Sequence, residues 1–579
     1  MSDKEKKAKV HKQGFLKATS IMAAFSLIAS GLGFVKNITL TSIFGMGAEL
    51  DSYYAAFRIP DFIYMILVGG ALSSAFIPIF SVYIATKEEE KGYKMASTIL
   101  NLVIIFALGL CVVGEVFTPQ LIRLTTKLTG DKFLLTVKLT RIMFFQSFFM
   151  CITGVAMGIC MSYSNFVPTS VGSVFYNLAI IVFGLLFSQV FGLGIAGFSI
   201  SVVVGALANF LVHVKPIRDT GFKYYPEVDI HNEGVGKFFK LFWPMLLGIS
   251  VTQINLLVNQ YFASGLKDSI ISAMSNAQTI MEMPINLFGG TISLSIFPTM
   301  SEHFATGKMD EYKKDLSLSM RTMLFVTIPS MAGLIVIRTP LIRAMFYQGN
   351  FTEGDIDTVA TLLMFYSIGI IGYCCRQVLA RGFYSAQDTR TPVRINITIL
   401  TLNIILSIIF VKFWKENGLA LAYSTAGLAS MTLHLIFLRR KLGTMRGREM
   451  IVSAVKSVIS SGVMFAVLYF LRDFLMDVLP PDRKLIQIAH ALILIFVGVI
   501  VYFVMALVLR MQEVAPVLGI LKRKFGRNKG ADVTAEAADA EDAADVADKS
   551  DAEADDAGDA DTAADVTDAV DESADAIDK

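Results

Sequence analysis

The chain has 579 residues, 54% of them hydrophobic and only 17% charged, with a mean hydropathy of +0.59; soluble domains are nearer a quarter charged. Apolar stretches long enough to cross a hydrocarbon core of ~30 Å recur from residue 16 to residue 511, which excludes a soluble domain and describes an all-α polytopic membrane protein. The net charge of +2 hides an asymmetry: residues 531–579 hold 19 Asp/Glu and 2 Lys, leaving 49 basic against 30 acidic residues, +19, in the remainder.

The N-terminus carries Lys4, Lys6, Lys7, Lys9, Lys12 and Lys17 ahead of an apolar run to Phe44. That run is too long for a signal-peptide core and no small-residue cleavage site follows, so a retained first span is expected. Fourteen transmembrane helices are expected, near 16–45, 52–83, 94–121, 135–163, 167–190, 193–214, 236–264, 270–303, 314–347, 356–381, 391–413, 417–438, 450–476 and 484–511. Alternate loops hold the basic clusters, among them Lys87/Lys91/Lys94, Lys215/Arg218/Lys223 and Arg439/Arg440/Lys441, which puts both termini in the cytoplasm. One exterior connection disagrees, since Arg123, Lys127, Lys132 and Lys138 surround it.

Residues 69–81 (GGALSSAFIPIFS) and 289–301 (GGTISLSIFPTMS) share the frame GG-x-x-S-x-x-x-x-P-x-x-S. Small residues let helices approach closely in lipid and proline bends them. Six helices separate equivalent points, so two parallel, pseudo-symmetric six-helix lobes around a central cavity are expected. Pro168 before Asn177 and Pro392 before Asn403 give a second match. The expected division is a basic N-terminus (1–15), an N-lobe (16–215), a cytoplasmic linker (216–235), a C-lobe (236–438), an added helix pair (450–511) and a tail (512–579). The tail is acidic and expected to be disordered from about 531.

Charge inside a span costs about 2.5–3.5 kcal/mol on insertion scales, so it should face protein or a wet cavity. Asp51, Tyr54, Arg58 and Asp61 share one helix face; Thr252, Asn255 and Asn259 share another; Ser275, Thr279, Glu282 and Asn286 a third. Lys36 and Arg376 add single charges in the first and tenth spans. The bland alternative is that Arg58 pairs with Asp61 and the amides merely bond neighbouring helices. Gly192-Leu-Gly194-Ile-Ala-Gly197 matches GxGxxG but has no strand before it, so no dinucleotide site is expected. Gly154 and Gly158 form a helix-packing pair. Cys111, Cys151, Cys160, Cys374 and Cys375 lie in apolar spans without CxxC spacing, and six histidines are scattered. No metal site, no cofactor and no catalytic residue is expected.

Ala56-Phe57-Arg58-Ile59-Pro60 with Gly70-Ala71 and Ala75-Phe76-Ile77-Pro78 resembles the MurJ/MviN family of lipid II flippases, within the multidrug/oligosaccharidyl-lipid/polysaccharide exporter superfamily. So do Phe242-Trp243-Pro244, Met281-Glu282-Met283-Pro284 and the run from Gly382 to Val393, GFYSAQDTRTPV. The resemblance covers about residues 15–510 and includes the count of fourteen helices. It implies translocation of undecaprenyl-pyrophosphate-linked disaccharide-pentapeptide from the cytoplasmic to the outer leaflet by alternating access, with lipid II and bilayer lipids as partners and no nucleic acid. It implies a monomeric transporter rather than an enzyme, with cell-wall synthesis proteins as candidate associates. Family arginines align with Gly31, Lys36, Tyr64 and Thr279, and only Lys36 keeps a positive charge. An acidic residue is replaced by Asn37 and a glutamate by Gly69, whereas Asp51 and Glu282 match.

Headgroup contacts are therefore expected at Lys36, Arg58, Arg376, Asn255, Asn259 and Thr279, and gating or orienting roles at Asp51, Asp61, Glu282 and Asp388. Na⁺, H⁺ and membrane potential stay open as driving forces. Exporters of another polyprenyl-linked glycan or cation-coupled drug antiporters are the alternatives, and a scaffold acting through its acidic tail is a third.

Overall fold

The computed structural model describes residues 3–68 and 71–514, with side chains from residue 21 onward except at 23, 71–74, 244, 247–249 and 251–252. The acidic tail, the Gly69–Gly70 pair and the Thr252 side chain lie outside the described residues.

All regular structure among the described residues is helical. The first half holds α1 (Asp3–Phe44), α2 (Ala48–Leu67), α3 (Ala71–Ala85), α4 (Glu89–Thr125), α5 (Gly130–Ser162), α6 (Val167–Leu185) and α7 (Ile195–Asp219). Then come α8 (Glu233–Ala263), α9 (Ile270–Pro284), α10 (Thr291–Ala305), α11 (Met309–Phe346), α12 (Glu353–Ser367) and α13 (Gly369–Ser385). The chain ends, as described, in α14 (Arg390–Leu442), α15 (Gly447–Val478) and α16 (Lys484–Val508). Among the described residues eleven helical segments are long and apolar enough to cross a membrane, with α9–α10 and α12–α13 each counted as one. In that count α14 is one helix, although Lys415 breaks its backbone (φ 47°, ψ −126°) and makes it two rods. The segments α2–α3 and α8 fall outside the eleven, and they carry Asp51, Arg58 and Asp61 and the Asn255/Asn259 amides.

The repeated glycine frame marks an interruption in each half. In the second, a π-helical turn (Ile285–Gly290) links α9 to α10, and the inserted residue rotates the face that α10 presents. In the first, α2 stops at Leu67 and α3 starts at Ala71. Pro78 and Pro298 then lie inside α3 and α10 at matched places.

One large set of buried apolar residues gathers the second half and three smaller sets the first, giving two lobes. In the first half α5 packs on α2, α4 and α7, and α6 on α1 and α7; Gly154 and Gly158 of α5 lie directly under Val68 and Phe76. In the second half α13 packs on α14 and α11, and α12 on α9. The outer pair α15–α16 packs on α11, where Tyr502 donates to the Phe325 carbonyl at 2.7 Å. Helix α8 joins both lobes. Its Val235, Phe238 and Phe242 are buried with Phe76, Phe80 and Met95 of the first lobe, while Ala263 at its far end is buried with the second.

Candidate functional site

Besides α8, the lobes are joined at one end by a pair of reciprocal caps. Asp51, at the start of α2 and 3% exposed, accepts from the backbone N–H groups of Ser269 and Ser272 at 2.8 Å each. A carboxylate there satisfies donors that a helix N-terminus leaves free and complements its dipole, so α2 of one lobe caps α9 of the other. The reverse cap lies beside it. Asn350, in the loop after α11, donates its backbone N–H to the Ser42 carbonyl at 2.9 Å and its side-chain amide to the Ile43 carbonyl at 2.6 Å, closing the C-terminus of α1. Gly349 makes this approach possible: its φ is +61°, and a Cβ there would stand 2.2 Å from the Ser42 oxygen.

The discordant basic loop belongs to the same joint. Lys132 forms an ion pair with Asp268, and the Lys127 backbone N–H donates to the Ser264 hydroxyl at 2.8 Å. The Lys127 ammonium sits 4.9 Å from the Tyr261 ring centre, and Arg123 lies over Phe133. These cations are committed to protein contacts, which explains why the loop departs from the charge rule. Deeper in, Thr41 and Asn276 hydrogen-bond across the lobes, as do Asn37 and Thr279 at 3.3 Å. At the opposite end, among the described residues, no hydrogen bond or ion pair joins α3–α5 to α10–α14. Only the packing of α8 on α3 and α4 closes that end, which has no caps among the described residues.

Behind the caps stand the charges. Asp61 lies within reach of the charges of both Arg58 and Lys36, and Glu282 within reach of Arg58. Yet none of Lys36, Arg58, Asp61, Glu282 or Arg376 makes an ion-pair contact with a described residue, so the Arg58–Asp61 pairing of the bland alternative is not formed. Glu282 is exposed although protein surrounds it, as on a cavity wall; Asn286 is exposed as well. Arg58, Asn259, Gln260, Ser275 and Gln278 line a small recess under the caps with a volume of about 20 Å³, room for roughly one water. The Asn255, Asn259 and Gln260 side-chain carbonyls are buried there without a hydrogen-bond partner among the described residues, although the Gln260 amide donates to the Ala55 carbonyl. Such atoms need a water or a ligand, because a buried polar atom left unpaired costs about 1–3 kcal/mol.

The structure therefore gathers Lys36, Arg58, Asp61, Asn259, Thr279 and Glu282 around the space between the lobes and places Asp51 in its closed end. Asp388 stands apart, in the loop between α13 and α14. It accepts from the Thr391 backbone N–H at 3.0 Å, the Thr391 hydroxyl at 2.8 Å and the Lys441 ammonium at 3.0 Å. Partial burial works to raise its pKa, but these three donors outweigh it and hold the carboxyl down at about 2. Asp388 ties the start of α14 to its end.

Sequence reasoning missed a fourth polar stripe, on α13. Apart from Ile371, its accessible residues are Tyr373, Arg376, Gln377, Ala380, Arg381 and Tyr384, at helical spacing, while Cys374, Cys375, Val378, Leu379 and Phe383 are buried. The signal was present, but the double cysteine and the leucine made the segment read as an apolar span. Asn350 was also missed, because loop asparagines carry no sequence mark of a distant cap.

A profile of the family described as lipid II flippase MurJ matches residues 40–486. A protein of Vibrio cholerae serotype O1 named probable lipid II flippase MurJ is 31% identical over 428 residues, covering 72% of this chain and 82% of that one. A solved structure described as lipid II flippase MurJ in an inward closed conformation superposes with a TM-score of 0.71 at 26% identity, over 87% of this chain and 99% of the other. An inward-facing multidrug MATE transporter shares the fold at 12% identity, with a TM-score of 0.63 over 74% of this chain and 98% of its own.

Proposed function

The chain belongs to the lipid II flippase MurJ family, and from that premise we propose that it carries lipid II between leaflets by alternating access of its two lobes. The observation that carries the reading is a set of membrane-embedded cations, Lys36 and Arg58, left without ion-pair contacts among the described residues in a space capped at one end; we read the uncapped end as the open one. A pyrophosphate needs cationic, hydrogen-bonding walls. The excess of Lys and Arg in the loops at the open end sets that end, with both termini, in the cytoplasm. Lipid II would enter there and leave once the caps part.

We count fourteen crossings: α2–α3 and α8 span despite their polar residues, because those residues face the cavity, and α14 crosses twice about Lys415. The lobes are residues 16–215 and 236–438, with 450–511 as the added pair and α8 as the strut between lobes. One chain contains the whole cavity and acts as a monomer.

The test replaces the wild-type protein by Lys36→Ala with Arg58→Ala in cells and measures which leaflet holds lipid II. Lipid II accumulating in the inner leaflet, with the variant still inserted in the membrane, is the expected result. Normal outer-leaflet exposure in that strain overturns the anion site.

A further inference from the structure

Lys36 and Arg58 form one cationic pole, but the C-lobe carries a second of different character. Tyr366, Tyr423 and Tyr373 stand in a row, their ring centres 5.5 Å and then 4.6 Å apart, the second pair stacked. The row begins at the buried Tyr366, whose hydroxyl accepts at 3.0 Å from the amide of Gln278, a residue lining the recess. It ends at Arg376, whose guanidinium lies 5.7 Å from the Tyr373 ring centre. The Arg376 Nε is buried and finds no acceptor among the described residues.

Glu282 lies within reach of both Arg58 and the tyrosine row. Its charge bears on Tyr366 and Tyr423, as Arg58 bears on Glu282 and Arg376 on Tyr423. A single anion bridging both poles would meet that carboxylate. A headgroup with an anion at each end would not. The α13 stripe that holds Tyr373, Arg376 and Gln377 runs on to Tyr384, which is 37% exposed.

We propose that Arg376, with the Tyr373/Tyr423 stack, is a specificity subsite for the glycan–peptide end of the headgroup, and that Arg376 pairs with a carboxylate of the stem peptide. A linear pentapeptide ends in a carboxylate, which a guanidinium binds through two parallel N–H donors. The rings and the Gln377 amide offer the apolar faces and sparse polar groups that ligand pockets use to fix orientation. Lys36 and Arg58 keep the pyrophosphate. This assignment rests on the flippase reading and adds that the chain recognises what the pyrophosphate carries.

The experiment measures binding to the purified full-length protein in nanodiscs. Its probes are lipid II, undecaprenyl pyrophosphate, and lipid II with the peptide carboxylate converted to an amide. Wild-type protein should bind the amide about tenfold more weakly than lipid II, a result that needs no variant. Arg376→Gln should weaken lipid II about tenfold and leave undecaprenyl pyrophosphate within twofold, whereas Lys36→Ala should weaken both. Equal affinity for lipid II and its amide overturns the subsite, as does an Arg376→Gln variant that loses both lipids in equal measure. Failure of the wild-type protein to bind lipid II at all would instead sink the flippase reading.

Discussion

At the scale of single residues, the chain uses its carboxylates in two ways. Asp51 and Asp388 serve as structural caps, each accepting backbone N–H groups, whereas Asp61 and Glu282 hold no ion-pair contact among the described residues. The motif around Asp388 was legible as a family mark, but its role was not, since sequence cannot show that Lys441 returns to it from 53 residues away. Asp388→Ala removes a helix cap and should cost about 1 kcal/mol, read as a lower thermal midpoint at pH 7. Because the folded carboxyl titrates near 2, below the ordinary value of about 3.9, its stabilisation is complete above about pH 4 and lost as pH falls through 2. The midpoints of wild type and Asp388→Asn should therefore differ by a constant amount from pH 5 to 8. A difference that grows between pH 8 and 6 would show that another group supplies the effect.

At the scale of elements, the stripes on α2 and α9 were readable because charged and amide residues at helical spacing have no other place in a membrane. Helix α13 was not readable that way. Its close crossing with α14 explains why so little of it is accessible. A Cβ on Gly372 would lie 2.3 Å from the Gly427 carbonyl carbon, and Gly369 meets Ser424 almost as closely. Backbone faces backbone there, so no side chain can turn aside. Gly372→Ala should cost 1–3 kcal/mol through overpacking, seen as reduced thermal stability of the purified protein. Gly289→Ala meets only the flexible Gln377 amide at 2.9 Å and should be much milder. Equal losses in the two variants would mean that the α13–α14 seam can spread. The glycine frame predicted a bend at matched places in continuous helices, but not that the second helix would carry a π-helical turn at its glycines.

At the scale of the whole molecule, transport requires two discrete arrangements of the lobes, and the caps define one of them. Each cap satisfies groups that helix ends would otherwise expose to water, so parting the lobes exchanges four short protein hydrogen bonds for solvent bonds. The exchange is nearly balanced, because a protein hydrogen bond contributes only about 0.5–1.5 kcal/mol net. A joint built of caps, with one ion pair at Lys132–Asp268 and the aromatic contact of Phe34 with Phe346 at 6.2 Å, can therefore open without a large input. A covalent link should remove that freedom. Thr41 of α1 and Asn276 of α9 touch across the lobes in the capped state, and the five native cysteines are all buried. Oxidising a Thr41→Cys/Asn276→Cys variant should hold the closed end shut and strand lipid II in the leaflet at the open end, and a reductant should restore its transfer. Undiminished transfer with the cross-link formed would mean that lipid II does not cross between the lobes, and alternating access about this joint would be wrong.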